Sequence, residues 1–92
     1  MIFQWGNMSN QLNQMSLDEQ KLARFFIQRE GEGILDVIRD VDFFEQGFID
    51  SLDMVALAVF VERNFKKRLD LTDPETFQAM KKFNTLMDII SG

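Results

Sequence analysis

The stretch Gly47-Phe48-Ile49-Asp50-Ser51-Leu52-Asp53 lies between an acidic, turn-rich segment and the most apolar helical run of the chain. This position predicts that Ser51 is the first residue of a helix, or its cap. The hydroxyl would be exposed there. Free backbone N–H groups and the positive end of the helix dipole would also stabilise a phosphate attached to it. Ser51 is therefore the first candidate functional residue.

C-terminal to Ser51, apolar periodicity predicts a helix over residues 51–67. One stripe of this helix should face the core, and it comprises Met54, Leu57, Ala58, Val61 and Phe65. Leu52, Val55 and Val59 form a second apolar cluster on a different face. A small bundle cannot easily bury two faces of one helix. The second cluster is therefore either an exposed binding surface or a face covered by the preceding loop, and the sequence leaves both open.

A first helix and a long connection precede this segment. Ser16-Leu17-Asp18-Glu19 has the pattern of a capping box, which predicts a helix from Ser16 that Gly31 and Gly33 end. The connection over residues 32–50 is rich in large apolar side chains, so we expect a loop pinned to the core, with one helical turn at residues 34–39. A connector of this length is uncommon in a compact domain unless it is functional.

Two further helices are predicted towards the C-terminus. Asp73 as cap and Pro74 at the first helical position open a short helix, whose Phe77 and Met80 should point inward. A last helix should open at Thr85 and stop at residues 91–92. The predicted fold class is therefore all-α. It is a small four-helix bundle of three main helices and one short helix, with a long ordered loop between the first two.

The 92 residues are enough for one domain. We expect a flexible leader over residues 1–15, which lack charge and sustained periodicity, and a folded domain over residues 16–92. The chain has no Cys, so it has neither disulfides nor thiolate metal sites, and we expect a cytoplasmic location. Its longest apolar run, residues 54–61, is far short of the ~20 residues that span a bilayer.

Charge is distributed unevenly along a chain of net charge −5. Residues 32–53 carry seven acids and one base, which favours basic partners over nucleic acid. Residues 63–68 carry four bases and no acid. This basic cluster is typical either of nucleic-acid binding or of a helix end where positive charge complements the dipole. The overall acidity favours the helix end.

Catalysis by the chain alone is disfavoured. A serine nucleophile needs a base within reach, but the chain has no His, and Lys66 is predicted at the far end of Ser51's own helix. Asp50 and Asp53 at a solvated helix entrance would not have the raised pKa that acid catalysis requires. The acids of residues 36–45 lack the spacing and the central Gly of an EF-hand loop. We therefore expect a protein that is not itself an enzyme.

Residues 42–52, Asp-Phe-Phe-Glu-Gln-Gly-Phe-Ile-Asp-Ser-Leu, closely resemble the signature of acyl carrier proteins and the related peptidyl and D-alanyl carriers. The resemblance extends over residues 16–91. It implies a four-helix carrier fold in which a phosphopantetheinyl transferase attaches phosphopantetheine, taken from coenzyme A, to the hydroxyl of Ser51. It also implies that acyl groups are carried as thioesters on the thiol of that group.

The same resemblance implies partner contacts. Asp50 and Leu52 flank the attachment site, and acids at Asp50 and Asp53 meet basic residues of the transferase. The residues implied to face partner enzymes are Asp50, Leu52, Asp53, Val55, Val59 and Glu62. The implied partners are the transferase, an acyl- or aminoacyl-loading (adenylating) enzyme and a downstream transferase or synthase. The carrier itself is expected to be a monomer.

The chain departs from the carriers of fatty-acid synthesis, which resemble one another in a strongly acidic second helix. Ala56, Arg63 and Asn64 stand at positions that are often Glu. The leading hypothesis is therefore a stand-alone carrier of a small amino acid or short acyl group in a specialised biosynthetic pathway. The alternatives are a fatty-acid-synthesis acyl carrier protein and an unmodified helical protein-interaction module.

Overall fold

The computed structural model describes residues 12–92, and within this range the chain forms helices and no strand. The α-helices are α1 (Leu17–Glu30), α2 (Ser51–Phe65), α3 (Pro74–Ala79) and α4 (Phe83–Ser91), with a 3-10 helix at Glu32–Asp36 between α1 and α2. The predicted all-α class is confirmed. Three longer helices and one short helix are present in the described range.

Both ends of α1 follow from local chemistry, as predicted. The Glu19 N–H donates to Ser16 Oγ at 3.1 Å, and the Ser16 N–H donates to Glu19 Oε1 at 2.9 Å, which completes the capping box. At the other end Gly31 has φ 85° and ψ 172°. This backbone region is essentially restricted to glycine, so Gly31 ends the helix.

The connection between α1 and α2 is held against the core. Its buried apolar side chains are Ile34, Leu35, Ile38, Phe43 and Ile49. The Phe43 ring stacks on Phe26 with the ring centroids 4.0 Å apart, and the Phe43 N–H donates to the Lys81 carbonyl at 2.7 Å. The predicted pinned loop is confirmed, although Val37 is exposed. Its helical turn begins at residue 32 rather than 34, because the 3-10 helix starts directly after Gly31.

The α2 helix presents its predicted stripe to the core. Met54, Leu57 and Val61 are buried, and Ala58 and Phe65 are partly buried against the same cluster. Leu57 and Val61 have no exposed surface. The core is thus formed by this stripe together with one face each of α1 and α4 and the side chains of the long connection.

The start of α3 is confirmed and that of α4 is corrected. Asp73 caps α3 by accepting from the Thr76 N–H at 3.3 Å, and Pro74 takes the first helical position. The α4 helix begins at Phe83, two residues before the predicted Thr85. Thr85 lies inside the first turn, where its hydroxyl bonds to the Lys82 carbonyl at 3.1 Å. A threonine hydroxyl bonds to the backbone both at a cap, where it accepts from an N–H, and within a helix, where it donates to a carbonyl, so the residue type alone misplaced the start.

The end of α2 is also corrected. The helix stops at Phe65, two residues earlier than predicted, because Lys66 takes the left-handed conformation with φ 60° and ψ 29°. The Lys66 N–H still reaches the Glu62 carbonyl at 3.0 Å. This is a position that glycine usually fills, since a Cβ in the left-handed region is strained.

Lys66→Gly is expected to stabilise the fold by about 0.5–1 kcal/mol, because removing the strain of a left-handed lysine outweighs the added entropy of the unfolded chain. Urea unfolding would measure the difference. Lys67→Gly is the matched control: Lys67 does not have a positive φ, so this variant should be no more stable than wild type. A Lys66→Gly variant less stable than wild type would contradict the assigned strain.

The predicted leader over residues 1–15 lies largely outside the described residues. Of its described part, Leu12 and Met15 are partly buried against the core. The Met15 carbonyl also accepts a hydrogen bond from the Gln20 side chain at 3.1 Å. The folded unit therefore includes these two residues.

Candidate functional site

Ser51 is the first residue of α2, and it is exposed. The cap is Asp50, so the structure decides between the two predicted positions for the serine. Within residues 12–92 the Ser51 hydroxyl has no hydrogen-bond partner. An exposed hydroxyl with no capping role therefore lies at the N-terminus of a 15-residue helix.

Asp50 and Asp53 form a reciprocal capping box around Ser51. The Asp53 N–H donates to Asp50 Oδ1 at 2.9 Å, and the Asp50 N–H donates to Asp53 Oδ2 at 3.0 Å. The hydrogen bond from the Asp53 backbone is the main cause that lowers the pKa of Asp50 below its usual 3.8. Asp50 is therefore a carboxylate at neutral pH, and its exposed charge stands next to the serine.

Asp53 also joins the start of α2 to the end of α1. Its Oδ1 atom lies 2.7 Å from Arg29 Nη1, and the Arg29 guanidinium packs over the Phe25 ring at 4.5 Å. Both Asp53 oxygens thus have intramolecular partners. Its implied contact with a transferase stays a prediction, and Asp50 is the acid with more capacity left for a basic partner.

Two substitutions of Asp50 separate its cap from its charge. Asp50→Ala removes the acceptor for the Asp53 N–H and should lower the midpoint of thermal unfolding. Asp50→Asn keeps an acceptor oxygen and should change that midpoint less, while it removes the charge beside Ser51. Because the folded pKa of Asp50 is below 3.8, its contribution to stability is present above pH 3.8 and is lost as the pH falls through the folded pKa. Equal melting midpoints for both variants at pH 7 would contradict the capping role.

Three apolar side chains on α2 lie in solvent. Leu52 is 79% exposed, Val55 50% and Val59 43%, and we call this set the apolar stripe. The apolar residues of the long connection are mostly buried in the core instead, and each side chain of the stripe keeps at least 43% of its surface in solvent. Of the two predicted alternatives, the structure supports the exposed surface. Its binding role remains a prediction, as does that of the exposed Glu62 one turn further along.

Sequence reasoning did not anticipate a groove at the C-terminal end of α2. The basic groove, as we call it, is lined by Val59, Glu62, Arg63, Lys66 and Arg68. Arg68 Nη2 lies 3.8 Å from Glu62 Oε2, because the chain turns back after the left-handed Lys66. The cluster of bases was visible in the sequence, but the turn that gives it a concave shape was not.

Comparisons of the chain with protein-family models, with curated proteins and with solved structures find no match. The resemblance of residues 42–52 to acyl carrier proteins therefore stays a prediction from the sequence. None of the helices in residues 12–92 is long and apolar enough to cross a membrane. In the same range no three His, Cys, Asp or Glu side chains converge as metal ligands.

Proposed function

We propose that this chain is a stand-alone carrier protein. In this role Ser51 bears a phosphopantetheine group, and acyl or aminoacyl thioesters on that group are passed between enzymes of a specialised biosynthetic pathway. The observation that carries the proposal is the Ser51 hydroxyl itself. It is exposed, free of capping duty and placed at the start of a helix directly after the motif of residues 42–52.

The local chemistry fits the attached group. A transferase would direct Ser51 Oγ to the phosphorus of coenzyme A that bears the pantetheine. A new O–P bond forms, the bond to 3′,5′-ADP breaks, and the serine proton passes to a base of the transferase. The resulting phosphodiester would lie at the N-terminus of α2, where the helix dipole and free N–H groups stabilise negative charge. The group supplies a thiol, which the chain lacks.

The fold supports the same proposal. An acyl-carrier-like bundle needs a long ordered connection that leads to the modified serine. Here that connection is fixed by Phe43 at the core and by Ile49 two residues before the helix starts. Ser51 therefore follows a connection that is packed against the core, so partners would meet it in a defined orientation.

The apolar stripe and Asp50 form the proposed surface for partner enzymes. Leu52 is the most exposed large apolar residue in the described chain and directly follows the serine. A small apolar anchor beside exposed charge suits brief, electrostatically steered encounters. The transferase, the adenylating loading enzyme and the downstream transferase or synthase would use this surface in turn.

Intact-mass spectrometry tests the proposal. The purified chain is incubated with coenzyme A and a broad-specificity phosphopantetheinyl transferase, and a mass gain of one phosphopantetheine is expected. Peptide mapping should place the added mass on Ser51. An unchanged mass with several transferases, each active on a control carrier, would refute the proposal.

The exposure of the apolar stripe also favours a second candidate, an unmodified helical module that binds another protein through Leu52. An unchanged mass would support it. A third candidate is a carrier for fatty-acid synthesis. To distinguish it from a carrier of a specialised pathway, the modified protein is loaded in parallel with adenylating enzymes from its gene neighbourhood and with a malonyl transferase. Efficient malonyl loading and chain elongation, without aminoacyl or short-acyl loading, would favour the fatty-acid carrier.

A further inference from the structure

Ser51, the apolar stripe and the basic groove lie along one face of α2. Successive residues of a helix are about 100° apart around its axis. On this helical wheel, the residues of the three features between Ser51 and Lys66 all lie within an arc of about 120°. The buried stripe of Met54, Leu57 and Val61 occupies the other side of the helix. A group attached to Ser51 can therefore extend along the exposed face towards the groove without crossing the core.

The groove combines positive charge with an apolar wall. Arg63, Lys66 and Arg68 line the groove with one acid, Glu62, whose carboxylate pairs with Arg68 at the long distance of 3.8 Å. Within residues 12–92, Arg63 and Lys66 form no ion pair. Val59 belongs both to the groove and to the apolar stripe. The groove therefore suits a ligand with a short apolar part and a terminal negative charge.

Lengths decide which part of an attached group reaches the groove. The phosphopantetheine backbone is comparable to about five extended peptide units, or roughly 16–17 Å. With a rise of 1.5 Å per residue, Val59 lies about 12 Å and Arg63 about 18 Å along the axis from Ser51. The sulfur would thus arrive between Val59 and Arg63. An acyl chain of a few carbons would place its far end at Arg63 and Lys66.

We infer that the basic groove recognises the cargo: it holds the distal carboxylate of a short anionic acyl group carried on Ser51. This inference rests on the proposed function and adds the chemical class of the cargo to it. Val59 contacts the end of the pantetheine arm next to the thioester, and Arg63, Lys66 and Arg68 bind the carboxylate. Because the groove is open to solvent, the interaction is weak and sensitive to salt, as a transient carrier requires.

The test compares two cargoes that differ in one terminal group. The transferase is supplied with glutaryl-coenzyme A or with pentanoyl-coenzyme A, so that each acyl arm is attached to Ser51 in one step. Backbone amide and methyl NMR shifts are then recorded at low salt. The glutaryl form should shift the Arg63 and Lys66 amides and the Val59 methyls about two- to fivefold more than the pentanoyl form. The excess should vanish at about 0.5 M salt.

Matched variants make the comparison specific. Arg63→Gln/Lys66→Gln/Arg68→Gln should abolish the excess shift of the glutaryl form at Val59. Lys21→Gln/Arg24→Gln/Lys82→Gln removes the same number of positive charges from exposed positions outside the groove, and this variant should retain the excess.

The outcomes separate the two proposals. If neither acyl arm is attached, the proposed function fails and the cargo inference fails with it. If both are attached but give equal shifts at Arg63 and Lys66, only the inference is overturned. Shifts centred on the buried residues Met54 and Leu57 would also overturn it, because the cargo would then lie inside the bundle.

Discussion

Ser51→Ala should abolish attachment of phosphopantetheine and leave the free energy of unfolding within about 0.5 kcal/mol of wild type. Modification should stop because the reacting oxygen is lost. Stability should persist because Asp50 caps α2 and the Ser51 hydroxyl makes no bond within residues 12–92. Intact-mass spectrometry after treatment with transferase and coenzyme A measures the first effect, and urea unfolding measures the second.

Ser16 provides a matched control for this prediction. It also precedes a helix, but its hydroxyl accepts from the Glu19 N–H, so Ser16 caps α1 and Ser51 does not cap α2. Ser16→Ala should lose about 1 kcal/mol of stability and still gain the full phosphopantetheine mass. A Ser51→Ala variant that still gained this mass would show that the attachment site had been misassigned.

Leu57→Ala should destabilise the fold by about 2–5 kcal/mol. Leu57 has no exposed surface and lies in the core stripe of α2, so truncation leaves a cavity that the surrounding helices fill only partly. For a domain of this size such a loss can exceed half of the total stability. Guanidinium or thermal unfolding would measure the change.

Val59→Ala is the comparison two residues further along the same helix. Val59 is 43% exposed whereas Leu57 has no exposed surface, so less apolar contact is lost, and alanine is the better helix former. We expect its free energy of unfolding to stay within about 0.5 kcal/mol of wild type. Equal destabilisation by Val59→Ala and Leu57→Ala would show that the apolar stripe is covered in solution.

The sequence predicted the features that depend on neighbouring residues. The capping box at Ser16, the cap at Asp73 and the end of α1 at Gly31 each involve groups a few positions apart, and all three are confirmed. The buried stripe of α2 was also predictable, because helical spacing sorts side chains onto faces without knowledge of what they meet.

The remaining features depend on contacts between distant parts of the chain. The Arg29–Asp53 ion pair joins residues 24 positions apart, so no local pattern indicated that Asp53 has an internal partner. The α4 helix starts early, at Phe83, a residue whose complete burial is set by the whole core. The basic groove depends on a left-handed lysine, a conformation that sequence rarely signals outside glycine.

The two contacts of Phe43 have a consequence for the order in which the protein folds. Its ring meets Phe26, 17 positions earlier, and its N–H meets the Lys81 carbonyl, 38 positions later. Closing the longer loop costs roughly 0.7 kcal/mol more chain entropy than closing the shorter one, and its contacts must wait for that closure. We therefore expect the approach to Ser51 to gain its full set of native contacts only after the segment around Lys81 has docked. During synthesis on the ribosome, the serine would be presented to a modifying enzyme in its native setting only once the chain beyond Lys81 has emerged.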